Sequence, residues 1–250
     1  DRNKKKLADL RKIKKWLPVP LYIGGAEHNT MHLLYSRFLT KVLADLKCID
    51  FTEPFTGRRN HGTILGPDNQ KMSKSRGNVI DPDAEVERFG ADSVRTYLAF
   101  MGPYDQDCPW QKTGIVGVRR FLERVWRISQ KKNLGAKTDD PDLTRLLHQT
   151  IKKVGENIAE LRFNTAVAAL MILANEMEKR DNITKDVFEK LLLVLAPFAP
   201  HISEELWTRL GHKKSIFLNS WPNFDEKLAK EDRIRLIVQV NGKLRDQIEV

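Results

Sequence analysis

Apolar residues recur at helical spacing in two stretches of the first hundred residues. Leu33, Leu34, Phe38, Val42 and Leu43 predict a helix from about Glu27 to Leu46 with one apolar face turned inward. Val94, Tyr97, Leu98 and Met101 predict a second over about Ala91 to Met101. A lysine-rich stretch ahead of both, from Asp1 to Trp16, carries Leu7, Leu10 and Ile13 at the same spacing and reads as a surface segment. Leu17 to Gly25 reads as the approach to a short buried strand that ends at two glycines, where open α/β sheets bring their backbone close to ligands. Cys48 to Arg59 is a turn-rich connection, and His61 to Gly66 is a second short strand. Asp81-Pro82-Asp83 has the chemistry of a helix start, with a capping carboxylate, a proline in the first turn and a second acid at the positive end.

From Gly114 to about Leu210 the pattern is helical throughout, with breaks at Gly135 to Pro141, Asp181-Asn182 and Pro197 to Pro200. Val118, Phe121, Leu122, Val125 and Trp126 form one apolar stripe; Leu161, Ala168, Leu170, Ile172 and Leu173 form a less regular one. A helical bundle follows. Pro200 preorganises a helix start, with Leu206 and Trp207 facing inward; His148, His201 and His212 read as structural or solvent-facing. At the end the period changes to two. Ile234, Leu236, Val238 and Val240 alternate with mostly polar residues, Asn241-Gly242 is a two-residue hairpin turn, and Leu244, Ile248 and Val250 resume the pattern. Two strands alone are marginal, so this hairpin is expected to belong to a sheet that continues past Val250.

Composition narrows the partners. The 250 residues carry 43 Lys and Arg against 33 Asp and Glu, a net charge of +10 that favours a polyanion: RNA, DNA or an acidic membrane surface. No apolar run approaches the roughly 20 residues of a membrane helix. Cys48 and Cys108, far apart, fit neither a zinc site nor a disulfide framework and suit a reducing compartment. The chain opens on Asp1 and has no secretory signal, which predicts a cytoplasmic fragment.

Two clusters carry chemistry. Gly66-Pro67-Asp68-Asn69-Gln70-Lys71-Met72-Ser73-Lys74-Ser75-Arg76-Gly77-Asn78 sets Lys71, Lys74 and Arg76 between the hydroxyls of Ser73 and Ser75 and follows them with a glycine. Cations, hydroxyls and main-chain N–H groups in one loop match a polyphosphate; the competing reading is a solvated basic turn. The other cluster is Glu27, His28 and His32, with the histidines expected one helical turn apart. Such a pair with a carboxylate is compatible with a metal-dependent hydrolase, although zinc hydrolases need a third protein ligand, and a purely structural role is the stronger of these two alternatives.

The literal sequence Lys71-Met72-Ser73-Lys74-Ser75, followed by Gly77-Asn78, resembles the KMSKS loop of class I aminoacyl-tRNA synthetases. Tyr22-Ile23-Gly24-Gly25-Ala26-Glu27-His28 followed by His32 is similar to the segment of leucyl-tRNA synthetases that lines the aminoacyl-adenylate pocket. Gly90 to Arg95 resembles the family's stem region, and Leu195 to Trp207 resembles a link within its anticodon-binding bundle. The family's strand before the loop usually has glutamine and methionine where this chain has His61 and Thr63.

The resemblance implies an α/β then all-α chain. Residues 1–78 would be the C-terminal half of a Rossmann-like catalytic domain, 79–113 a stem-contact region, 114–231 a helical anticodon-binding-type bundle, and 232–250 the first hairpin of a small C-terminal β-containing domain. It implies a leucine-tRNA ligase using ATP with Mg²⁺ as its substrate complex and no protein-bound metal. Lys71, Ser73, Lys74 and Ser75 would stabilise the reacting phosphates. Gly25, Glu27, His28, His61, Ile64 and Met72 would join Lys74 around ATP and the adenylate, and Tyr22 and His32 would border leucine. Arg95, Arg119, Arg120, Arg124 and Arg127 would face tRNA(Leu), where the alternatives are a surface ion pair for Arg95 and a solvated face for the others. The family's His-Ile-Gly-His motif and its inserted editing domain do not occur in these residues. A companion segment or subunit carrying that motif is therefore expected, and the isolated chain is expected to make little adenylate. The alternative is a non-catalytic tRNA-binding fragment.

Overall fold

The computed structural model describes residues 4, 8–138, 140–229, 235–240 and 243–249, and among them the chain separates into two compact units. Unit 1 comprises Asp1–Val79 with Gly102–Trp110, and unit 2 comprises Ile80–Met101 with Gln111–Val250.

Unit 1 contains α1 (Leu10–Trp16), β1 (Tyr22–Gly24), α2 (His32–Asp45), β2 (Arg58–Asn60), β3 (Ile64–Leu65) and β4 (Cys108–Pro109). Asp9 caps α1 by accepting the Arg11 N–H at 2.9 Å. The strands form two separate parallel pairs. In one, Tyr22 lies opposite Arg58 and Gly24 opposite Asn60; in the other, Ile64 lies opposite Cys108. The Thr63 N–H donates to the Asp107 carboxylate at 2.6 Å and the Gly62 N–H to the Tyr104 carbonyl at 2.8 Å, holding the approach to β3 against the segment before β4.

Two expectations for α2 need correction. The helix starts at His32, not near Glu27: Ala26–Asn29 is a 3₁₀ turn, and Met31 leaves helical geometry at φ −113° and ψ −104°. The Thr30 hydroxyl donates to the Glu27 carbonyl at 3.3 Å, a local side-chain bond that competes with continuing the helix. His28 and His32 therefore do not share a helical turn. The second correction concerns the apolar face, since Leu34, Phe38 and Val42 are exposed, as are Met31, Tyr35, Leu39 and Leu46. Polar groups fix this orientation: Arg37 and Lys41 pair with Glu53 at 2.8 and 3.2 Å, while Thr40 is buried.

Unit 2 begins with α3 (Pro82–Phe89) and α4 (Ala91–Phe100), followed by α5 (Lys112–Ser129), α6 (Pro141–Ala159), α7 (Phe163–Lys179), α8 (Lys185–Leu195), α9 (Pro200–Arg209) and the short α10 (Glu226–Ala229). Asp81 caps α3 through the Asp83 N–H, and Asp140 caps α6 through the N–H groups of Asp142 and Leu143. A break that the pattern did not predict separates α6 from α7, where Leu161 adopts φ 60°. The core interleaves the apolar stripes of α5 to α9, with Val125, Ile151, Leu170, Phe188 and Leu191 fully buried and Leu206 and Trp207 turned inward as expected. Val94 and Tyr97 are buried on α4, but Leu98 is exposed, and so is Ile172 on α7. β5 (Arg235–Val240) and β6 (Lys243–Glu249) pair antiparallel with Leu236 opposite Ile248. The Asn241-Gly242 turn, Ile234 and Val250 lie outside the described residues, as does Leu7.

Candidate active site and nucleic-acid interface

The site residues expected around ATP and leucine all fall in unit 1. β1 ends on the buried Gly24 and Gly25, and a Cβ on Gly25 would come within 3 Å of the Glu27 carboxyl, at 2.8 Å from its carbon. A side chain there would require the Glu27 carboxyl to move. Its carboxyl is held below the ordinary value first by the hydrogen bond from its own N–H, then, against desolvation, by the positive charges of Lys71, His28 and His61. His28 has a buried Nδ1 with no hydrogen-bond partner among the described residues.

Beside this floor, His32 Nδ1 lies 3.0 Å from the Tyr22 hydroxyl, and the two rings stack with centroids 5.4 Å apart. Phe55 packs on Tyr22 at 4.5 Å, completing an aromatic cluster. Arg58 sits 5.8 Å from the Tyr22 ring and donates to the Gly25 carbonyl at 3.2 Å. Neither Phe55 nor Arg58 was singled out in the sequence. The parallel register of β1 and β2 brings them in, and no local pattern announces it.

The loop after β3 is held from within. Lys71 bridges back to Leu65, and the Gly66 N–H donates to the Gln70 carbonyl at 2.8 Å. The Asn78 side chain accepts the Ser73 N–H at 2.9 Å and donates to both Asp68 oxygens at 3.0 and 3.1 Å, which lowers the Asp68 pKa. Gly77 closes the 3₁₀ turn Lys74–Arg76 at φ 67°, a left-handed conformation that side chains disfavour. The Ser73 and Ser75 hydroxyls share a hydrogen bond of 2.7 Å, and Arg76 reaches Gln70 at 3.3 Å. The Lys71 and Lys74 side chains are exposed and make no hydrogen bond or ion pair among the described residues. Met72 is half-buried, Ile64 is 38% exposed on β3, and the exposed His61 turns Nδ1 to the Gly62 carbonyl at 2.8 Å. The result is a braced loop that presents two unspent ammonium groups.

No group of three or more His, Cys, Asp or Glu able to hold a metal occurs among the described residues, so the two-histidine hydrolase lacks a ligand set. Nor is any helix among them long and apolar enough to cross a membrane.

The arginines expected to face RNA are in unit 2 and are largely engaged within it. Arg95 donates to the Pro197 carbonyl at 3.3 Å. Arg119 bonds Glu123 at 2.8 Å and the Phe89 carbonyl at 2.9 Å. Arg124 and Arg127 converge on Glu178 at 2.6 and 2.8 Å. Lys131 donates to the carbonyls of Met177, Glu178 and Arg180, capping the end of α7. Arg120 is exposed with no partner among the described residues.

Two family models match the chain: tRNA synthetases class I (I, L, M and V) over residues 8–111, and the anticodon-binding domain of tRNA ligase over residues 140–250. These matches cover both units and define a class I tRNA synthetase. Among solved structures, the Agrobacterium radiobacter K84 LeuRS, in a ternary complex with tRNA and LeuAMS, is 38% identical over 97% of this chain, with a TM-score of 0.80. The chain belongs to the leucyl-tRNA synthetases, and it spans 33% of that relative's length. Two Mycobacterium tuberculosis methionyl-tRNA synthetase structures with methionyl-adenylate share the fold alone. One is 20% identical over 80% of this chain and 45% of its own, with a TM-score of 0.59; the other is 17% identical over 86% and 53%, with a TM-score of 0.60.

Proposed function

We propose that this chain supplies the phosphate-binding half of a leucine-tRNA ligase, with residues 1–78 catalytic, 79–113 contacting the stem, 114–231 binding tRNA and 232–250 opening a further small domain. The reaction has two steps. The leucine carboxylate attacks the α-phosphorus of ATP and pyrophosphate leaves with its bond electrons; a ribose hydroxyl of the terminal adenosine of tRNA(Leu) then attacks the leucyl carbonyl and AMP leaves. ATP enters with its Mg²⁺ as substrate.

One observation carries this reading: the loop after β3, braced by Asn78, leaves the Lys71 and Lys74 ammonium groups exposed and without an ion pair among the described residues. Lys74 and Lys71, with the hydroxyls of Ser73 and Ser75, answer the charge that grows on the phosphates. Glu27 accepts from the ribose diol, His28 offers its unpartnered Nδ1, and Ile64 and His61 border the base. Tyr22 and His32, locked to each other, border the leucine side chain and exclude other shapes. We place the reaction in the cytoplasm.

A companion segment or subunit carrying the family's His-Ile-Gly-His motif completes the cleft. The exposed apolar stripe on α2 supports this, because five large side chains on the helix, flanked by Met31 and Leu46, face water and make a patch that folded proteins normally cover. The test is leucine-dependent pyrophosphate exchange. The chain alone is expected to give almost none, and mixing with the companion segment of a leucyl-tRNA synthetase restores it. Lys74→Ala in the mixture is expected to slow adenylation by about 3 kcal/mol, on the order of 100-fold, with leucine affinity unchanged. Exchange by the chain alone would refute the need for a companion. No exchange even with the companion, alongside salt-sensitive tRNA binding, would leave a non-catalytic RNA-binding module.

A further inference from the structure

Unit 2 holds a cavity of about 660 Å³ between the end of α3, the first turn of α4, the middle of α5 and the start of α9, a volume typical of ligand pockets. Phe89, Leu122, Trp126 and Ile202 supply apolar walls. Arg119, Arg127, His201, Asp92 and Glu123 also line it, and each basic side chain has an acid beside it: Arg119 with Glu123, Arg127 with Glu178, and the His201 ring with Asp92 at 2.8 Å. Balanced charge argues against a free phosphate, and the ring of donors and acceptors argues against a purely apolar guest. Flat apolar surface edged by both kinds of hydrogen-bonding group is what a nucleobase requires.

The cavity is also preformed. Asp92 accepts from the N–H groups of His201 and Ile202, fixing the start of α9 against α4. Arg119 reaches the Phe89 carbonyl and ties α5 to the end of α3, next to Gly90 at φ 86°, where a side chain would be strained. The Arg209 guanidinium stands 4.6 Å from the Trp126 ring centroid and braces that wall. The unpartnered Arg120 lies on the same helix, α5, and the whole chain carries +10.

We propose that this cavity receives one unstacked nucleotide of bound tRNA, its base against Trp126 and its polar edge met by Arg119, Arg127, Glu123 and His201. The proposal rests on the reading that this chain binds tRNA. The guest lies in the body of the RNA, because its site is built from unit 2 alone and uses none of the ATP or leucine residues.

The experiment measures binding of a tRNA(Leu) transcript to the full chain against salt, with dimethyl sulfate footprinting of the bound RNA. Ala91→Phe fills the cavity from the half-buried first residue of α4. It is expected to weaken binding about tenfold, the scale of one lost base-stacking contact, with the salt slope unchanged and one base newly reactive in the footprint. If Ala91→Phe lowers the melting temperature, Trp126→Leu decides by the same readouts. Wild-type affinity and footprint in a folded variant would overturn the nucleotide pocket while leaving tRNA binding intact. No binding by the unmodified chain would overturn both.

Discussion

The two units spend their apolar residues in opposite ways. Among the described residues, every buried apolar side chain lies in unit 2 except Trp110, whereas α2 in unit 1 turns Leu34, Tyr35, Phe38 and Leu39 to solvent, each more than half exposed. Unit 2 is a bundle that closes on itself. Unit 1 has helices and strands of the right kind but little core beneath them, so its order leans on hydrogen bonds such as those of Asn78 and on the Tyr22, His32 and Phe55 cluster. The proposed function accounts for the difference: a cleft must leave lysines unpaired and backbone exposed, and the stability for that has to come from packing elsewhere.

The sharpest way to break this contrast is to truncate one large ring in each unit. Phe188→Ala in the core of unit 2 is expected to cost about 3 to 5 kcal/mol in denaturant unfolding. Phe38→Ala on the open face of α2 is expected to cost within about 0.5 kcal/mol in the isolated chain. With the companion bound the second figure should rise well above that. Equal costs in the isolated chain would mean that the α2 face is already covered.

A smaller effect separates the loop from the bundle. Asn78→Ala removes one acceptor and three donated bonds from the loop, and it is expected to slow adenylation by about 1 to 2 kcal/mol, roughly tenfold, without moving the unfolding midpoint of unit 2. Smaller still, Glu178→Gln releases Arg124 and Arg127. Burial alone would raise the Glu178 pKa, but the hydrogen bonds from those two arginines outweigh it and keep the carboxyl below its ordinary value, so both are charged partners of an ionised acid. Stability should fall by less than about 1 kcal/mol, while tRNA affinity rises and its salt slope steepens by about one phosphate contact. An unchanged slope would show that α5 does not meet phosphates.

What could be read beforehand divides along chemical lines. The Lys71 to Asn78 loop, the cap at Asp81 and the first-turn proline at Pro200 were legible because each is a local device whose residues are adjacent in sequence. The bundle was legible from its period. The orientation of α2 was not, because periodicity reveals that a helix has two faces and not which one finds a neighbour, and the pairing of Arg37 and Lys41 with Glu53 joins residues that no periodicity links. The arginines of α5 read as a phosphate-binding face, and the acid that engages two of them, Glu178, lies on α7, too distant in sequence for any window to pair them. The break at Thr30 and Met31 was hidden for a related reason, since a single threonine bond ended the helix without glycine or proline to mark it.

The smallest expected effect is a pH dependence confined to unit 2. His148 on α6 is 8% exposed, and its Nδ1 accepts the Asp225 N–H at 2.9 Å, which requires that nitrogen to be unprotonated. Burial lowers its pKa below 6.5, with Lys190 adding to the effect and Asp225 and Asp186 opposing it. In the unfolded chain the imidazole titrates near its ordinary value, so between that value and the lowered folded one the unfolded state binds the extra proton. Stability is therefore full above about pH 6.5 and declines as pH falls through that window, levelling once the folded imidazole is also protonated. His148→Gln retains an acceptor without a titrating ring, and its unfolding midpoint between pH 5 and 8 is expected to lose this slope. A slope that survives the substitution would assign the acid sensitivity to another group, and the buried histidine would then be a packing element with no linkage to protons.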